Sequence, residues 1–224
     1  MAITLYTCAT PNGVKISIAL ELLKLQYKAV NIDIMKGEQK TPEFLKVSLN
    51  GRIPAITDTK GPGSSESAPF SLFESGAILQ YLAEKYDPEH LISYKPGTAE
   101  HYKTNEWLFF QNAGIGPMQG QAGHFVKFAP EKVPYGIKRY TDETKRLYGV
   151  LDERLKQNGT GFLVGDHISI ADISTVGWVQ CSHFVDLDLS EFPEVKKWLD
   201  RLLAIEGVKK GFDVPVKWPF FKEE

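Results

Sequence analysis

The sequence predicts an α+β protein on three observations. Strand and helix periodicities alternate over residues 1–86, the composition turns to Pro, Gly, Ser and Tyr over 87–98, and no convincing strand pattern follows from residue 99 to 224. With 224 residues and 42% hydrophobic content, the chain can bury two modest cores. The expected organisation is a β-α-β-α-β-β-α domain over 1–86, a linker over 87–98 and an all-helical domain over 99–224.

Ile3 to Thr7 is a short β-branched and aromatic run that predicts the first strand. Apolar residues at helical spacing then predict a helix to Leu25, with Thr10 as its N-cap and Pro11 as its first residue. Lys28 to Ile34 alternates as a strand and completes a βαβ unit whose two strands should be parallel. Thr41-Pro42 opens a short helical turn that Asn50-Gly51 ends. A strand over Arg52 to Asp58 and a shorter one over Ser71 to Phe73 predict a hairpin, with Ile53-Pro54 trans by default. Glu74-Ser75-Gly76 starts another helix, capped by Ser75 and ending near Tyr86-Asp87-Pro88. This order suggests a thioredoxin-like domain built on a four-stranded mixed sheet.

Helices are expected over Ala99 to Ala122, bent around Gly114-Ile115-Gly116-Pro117, and over Tyr135 to Lys156. Ser169-Ile170-Ala171-Asp172 has the form of a capping box before the apolar run Ile173 to Val179, and Pro193 opens a helix to Leu203. Trp218, Phe220 and Phe221 should pack back onto the body.

The 26 basic and 28 acidic residues leave a net charge of -2, which supplies no field for steering onto nucleic acid or an anionic membrane. Cys8 and Cys181 lie far apart, with neither disulfide-framework nor metal-ligand spacing, and no stretch has the length of a membrane span. A cytoplasmic protein with small-molecule partners is expected, without nucleic acid, membrane or bound metal.

Three separated features could share one chemistry. A helix start with Thr10 and Asn12 favours an anion such as a thiolate. Ile53-Pro54, if its peptide bond is cis, would leave backbone groups facing outward for an extended peptide. Glu74 and Ser75 could hold the ammonium and carboxylate of an amino-acid head group. Each alone is compatible with ordinary helix capping or strand entry. Cys8 does not directly precede Pro11 and reads as a small buried hydrophobe, as does Cys181. Trp107, Phe109 and Phe110 read as core or interface, and His124 could line a substrate pocket, although a lone His more often serves the scaffold.

Thr10-Pro11-Asn12-Gly13, Pro42-Glu43-Phe44, Asn50 to Ile56, Phe73 to Leu82 and the Ser169 box together resemble the glutathione transferase family. Gly116-Pro117-Met118, Gly123-His124-Phe125 and Pro134 to Tyr140 narrow the resemblance to the nu class and the fungal branch related to the yeast nitrogen-regulation prion protein. The resemblance covers essentially the whole chain. It implies a homodimer that uses reduced or oxidised glutathione, with Asn12 and Thr10 addressing the sulfur. Gln39 and Arg52 would contact the tripeptide, Ile53 its cysteinyl backbone, and Glu74 and Ser75 its γ-glutamyl end; Arg139 would add a contact from the helical domain.

The activity implied is glutathione-dependent disulfide-bond reduction or transfer, in which a stabilised glutathione thiolate attacks a disulfide or electrophile. The usual catalytic Tyr, Ser or Cys of other classes is missing, which favours disulfides. The alternative is a glutathione-binding regulatory protein without significant catalysis.

Overall fold

The computed structural model describes residues 1–219. The chain divides into two compact units, one of residues 1–89 with the segment from Ile205 onward, the other of residues 90–204. This division differs from the sequence-based ranges at both ends of the helical half. From His90 the linker clusters with the helical unit, where the Tyr94 hydroxyl donates to the Val164 carbonyl at 2.9 Å and Ile170 N–H to that of Ile92 at 2.9 Å.

The first unit is built on a four-stranded sheet in the order β2-β1-β3-β4. β1 (Ile3–Thr7) pairs in parallel with β2 (Tyr27–Asn31) and antiparallel with β3 (Ala55–Asp58), which forms a hairpin with β4 (Phe70–Phe73). The expected fold class and mixed sheet are therefore present. β2 stops at Asn31, short of the expected Ile34, because the Asp33 side chain accepts from the N–H groups of Met35 and Lys36 and turns the chain away. β3 begins at Ala55 instead of Arg52, since Pro54 has no N–H to give a ladder. The Ile53-Pro54 peptide is cis, not the default trans.

α1 (Gly13–Leu22), α2 (Pro42–Leu45) and α3 (Ser75–Tyr86) complete this half, together with α9 (Glu206–Phe212), which the sequence reading did not resolve as a helix. α1 starts two residues later than expected and ends at Leu22, where Lys24 at φ 53° takes the chain out of the helix. Thr41 caps α2 through Phe44 N–H, with Pro42 at its first position.

The core combines the buried Val14, Ile16, Ile18 and Leu20 of α1 with Ile78, Leu79 and Leu82 of α3, and a further cluster joins Ile32, Phe44 and Ala55. At the end of β3 the buried Asp58 accepts hydrogen bonds from the Tyr81 and Tyr86 hydroxyls of α3. Burial pushes the Asp58 carboxyl up, but these donors hold it below its ordinary value. They also tie α3 to the sheet.

α9 lies close against α1. A Cβ at Gly211 would fall 2.5 Å from Ile18 Cα, and the Ser17 hydroxyl donates to the Gly211 carbonyl at 2.6 Å. Trp218 is buried with its ring edge-on to Phe212. Its expected docking is therefore observed, whereas Phe220 and Phe221 lie outside the described residues.

The helical unit contains α4 (Ala99–Phe110), α5 (Gly116–Gly123), α6 (Pro134–Asn158), α7 (Ile170–Gln180) and α8 (Pro193–Ala204). A π-helical turn over Gln111–Ile115 joins α4 to α5 at the expected bend, and a second over His124–Phe128 extends the run past its expected end at Ala122. At the start of α7 the buried Asp172 accepts from Ser169 N–H at 3.0 Å, which realises the acidic arm of the expected capping box.

Candidate active site

The junction between β1 and α1 is shaped by Thr10. Its carbonyl accepts from Val14 N–H at 3.1 Å and its hydroxyl oxygen from Gly13 N–H at 3.1 Å, the bonds an N-cap makes. Pro11 and Asn12 complete this turn outside the regular helix, with Asn12 in the N-cap position and making no side-chain cap bond. Both sequence expectations are therefore corrected: Asn12, not Thr10, holds the N-cap position, although the Thr10 hydroxyl oxygen accepts from Gly13 N–H, and Gly13, not Pro11, is the first helical residue. The Thr10 hydroxyl donates only at 3.5 Å, to the Cys8 carbonyl, so its proton is weakly engaged.

Gly13 explains why the turn is so tight. A Cβ there would fall 2.1 Å from the Cys8 carbonyl oxygen and 2.6 Å from Thr7 Oγ1, so the backbone of α1 touches the end of β1.

The other expected site residues of this unit sit on three segments tied together by side chains that the sequence reading did not select. Lys40, next to Gln39, donates to the Asn50 carbonyl at 3.3 Å, and the Asn50 amide donates to Glu74 Oε1 at 3.4 Å. Gln39 donates to the Ile34 carbonyl at 3.2 Å, while its buried Oε1 accepts nothing among the described residues. Arg52 is exposed, and its carbonyl accepts from the Ser48 hydroxyl. Half-buried Ile53 packs on the Phe44 cluster, and its backbone N–H and C=O make no hydrogen bond among the described residues.

Glu74, not Ser75, occupies the N-cap position of α3, which corrects the expected cap. It sits at φ 72°, a left-handed conformation costly for a non-glycine residue, by about 1–3 kcal/mol. Ser75 is the first helical residue, leaving its N–H without an intrahelical acceptor. Its hydroxyl oxygen accepts from Lys15 Nζ at 3.1 Å. Lys15 is 1% exposed, and burial pushes its ammonium down to about 7 against the opposing field of Glu74. A buried Lys three residues after Asn12 was legible only as a break in the apolar pattern of α1.

In the helical unit, Arg139 lines a cleft of about 660 Å³ with Met118, Tyr135, Lys138, Tyr140, Asp142, Glu143 and Arg146. Lys138 pairs with Asp142 and Arg146 with Glu143, whereas Arg139 forms no ion pair among the described residues. His124 is exposed at the head of its π-turn and is not part of this lining. Trp107 is buried as core, while Phe109 is 60% exposed.

Cys181 is buried and Cys8 half-buried, and burial raises both thiols, Cys181 to about 12. Neither is poised as a nucleophile at neutral pH. The chemistry this end of the first unit offers is binding: a hydroxyl and an amide at a helix start, Ile53 backbone groups without a hydrogen bond among the described residues, and a carboxylate beside a hydroxyl.

The chain is similar to known proteins over most of its length. Residues 1–84 match the family described as glutathione S-transferase, N-terminal domain, and residues 117–206 that described as glutathione S-transferase, C-terminal domain. The chain is 46% identical to disulfide-bond oxidoreductase YfcG of Escherichia coli, over 89% of each protein. It is 35% identical to protein URE2 of Eremothecium gossypii, over 91% of this chain and 65% of that one. A crystal structure of a glutathione transferase homolog from Lodderomyces elongisporus, with two GSH per subunit, superposes with a TM-score of 0.92 at 49% identity, covering 96% of this chain and 99% of that chain. The chain belongs to the glutathione S-transferase family.

Proposed function

We propose that this chain is a glutathione-dependent disulfide-bond oxidoreductase and transferase, in which Asn12 and Thr10 stabilise the glutathione thiolate at the head of α1. The observation that carries this reading is the turn itself: a weakly engaged hydroxyl and a side-chain amide precede a ten-residue helix, with no poised thiol of the protein's own. Such donors and the positive helix end favour a thiolate over a thiol. The nucleophile then belongs to glutathione.

In the first step the thiolate sulfur attacks one sulfur of a disulfide, a new S–S bond forms, and the departing thiolate takes a proton from water. A second glutathione thiolate attacks the glutathione sulfur of the mixed disulfide. This releases the second thiol and oxidised glutathione, so two glutathiones are oxidised for each disulfide reduced. The name of the Escherichia coli relative and the two GSH per subunit in the Lodderomyces elongisporus structure support this chemistry.

Gln39, Arg52 and Ile53 are assigned to the tripeptide, and Glu74 and Ser75 to its γ-glutamyl ammonium and carboxylate. Arg139 is assigned to a glutathione carboxylate, because it lacks the ion-pair partner that Lys138 and Arg146 have. His124 is kept for a second substrate, a role its place outside the Arg139 cleft does not strengthen. A homodimer and a cytoplasmic location belong to the same reading. No described helix is long and apolar enough to cross a membrane.

Replacing Asn12 with Ala should lower turnover of a small dialkyl disulfide by about tenfold or more, the scale of losing one hydrogen bond to a charged group. Unchanged turnover at neutral pH would remove the role assigned to Asn12. Similarity to URE2 favours a second reading, a glutathione-binding regulator. Activity in neither disulfide reduction nor chlorodinitrobenzene conjugation, with glutathione binding retained, would select it.

A further inference from the structure

We propose that Lys15 is a positioning residue for glutathione, which in its protonated form turns the Ser75 hydroxyl outward to donate to the γ-glutamyl carboxylate. The inference rests on the assignment of Ser75 to that carboxylate. Lys15 Nζ lies 3.1 Å from Ser75 Oγ, and both side chains are buried between α1 and α3. An ammonium has only donors, so it occupies a lone pair of Oγ and the Ser75 proton must point elsewhere. A neutral amine carries a lone pair of its own and draws that proton inward. Protonation of Lys15 and the donor direction of Ser75 are therefore one switch.

The local charges favour coupling to a bound carboxylate. Glu74, at the head of α3, is the charged group whose field acts on Lys15. The other helix packed on α1 is α9, and its Lys210 and Glu206 act on Glu21 and on Lys24, toward the far end of α1. β1, the strand packed on α1, carries no charged residue. An isolated ammonium in this position is disfavoured by burial and sits near its midpoint at neutral pH. A carboxylate hydrogen-bonded to Ser75 would favour the charged form, so the proton that loads Lys15 comes from the buffer as the ligand binds. The ligand ammonium, held farther out by Glu74, offsets part of this effect without reversing it, because the carboxylate is joined to Lys15 through a single hydroxyl.

The test is calorimetric binding of S-methylglutathione, whose blocked sulfur cannot contribute a proton. Titrations at roughly pH 7.5 in buffers of different ionisation enthalpy should show the wild-type protein taking up on the order of half a proton per ligand. Lys15→Met should bind about tenfold more weakly, with no uptake. Lys15→Arg should keep most of the affinity, also without uptake, because the guanidinium stays charged. In a Ser75→Ala background the Lys15→Met substitution should have little further effect.

Absence of proton uptake by the wild type would overturn the proposal without any variant. So would wild-type affinity in Lys15→Met, or a Lys15→Met loss that adds in full to that of Ser75→Ala. Wild-type affinity in Ser75→Ala alone would instead remove the assignment of Ser75, and the proposal with it.

Discussion

Asp172→Ala should lower the unfolding free energy by about 4 kcal/mol, a loss confined to a few mechanisms of which orphaned buried donors is one. Asp172 is fully buried, and its carboxylate accepts from four donors. Oδ2 takes Ser169 N–H at 3.0 Å and Ser169 Oγ–H at 3.1 Å, whereas Oδ1 takes Leu163 N–H at 2.9 Å and Trp198 Nε1–H at 2.8 Å. One side chain thus joins the start of α7, the loop before it and α8. Burial pushes the carboxyl up, and the donors oppose that by favouring the charged form.

Removing the acceptor strands donors on the buried Ser169, Leu163 and Trp198, at about 1–3 kcal/mol each before relaxation. Asp172→Asn keeps the shape but turns an NH₂ toward donors, so an intermediate loss of about 2 kcal/mol is expected. Urea unfolding followed by circular dichroism measures both. A change below about 1 kcal/mol for the alanine variant would show that other contacts hold these elements together.

The second large effect is expected at Gly13. Gly13→Ala puts a methyl group 2.1 Å from the Cys8 carbonyl oxygen and 2.6 Å from Thr7 Oγ1, and the nearer obstacle is backbone. The head of α1 must move away from the end of β1, carrying Thr10 and Asn12 with it. A displacement of this size at a reacting centre costs roughly a hundredfold in rate, and forced overpacking costs about 1–3 kcal/mol in stability. kcat/KM for glutathione with a small disulfide should fall by that factor, while circular dichroism retains the folded spectrum. Activity within twofold of wild type would mean that the close approach does not set the geometry of the turn.

Much of this was legible in the sequence because it depends on local signals. Thr41-Pro42 and the Ser169 box were recognisable as helix starts from residue type and spacing, whereas Thr10 was legible only as a residue that bonds the turn, the N-cap itself falling to Asn12. Periodicity located the strands of the first unit and the helices of the second, with boundary errors where a side chain diverted the chain. Asp33 ended β2 in this way, through hydrogen bonds that no periodicity encodes.

What escaped the sequence depends on contacts distant along the chain. Lys15 stands in an otherwise apolar helical face, and its meaning appears only when Ser75, sixty residues away, is found at its Nζ. Asn50 was read as a helix breaker, and its hydrogen bond to Glu74 needed the packed hairpin. α9 is short and glycine-containing, weak by propensity, and is held by the close approach of Gly211 to Ile18. The N-cap of α3 fell to Glu74 because that residue adopts a left-handed backbone conformation, which nothing in its chemistry announces.

The central claim is that the turn at Thr10 and Asn12 stabilises a glutathione thiolate. Its most direct test is the ultraviolet absorbance of the thiolate, followed as protein-bound glutathione is titrated with pH. The account predicts a bound thiol that ionises well below the value of about 8.5 for a free cysteine-type thiol, and a return toward that value in Asn12→Ala. A bound thiol that ionises where free glutathione does, in a protein that still reduces disulfides, would contradict it.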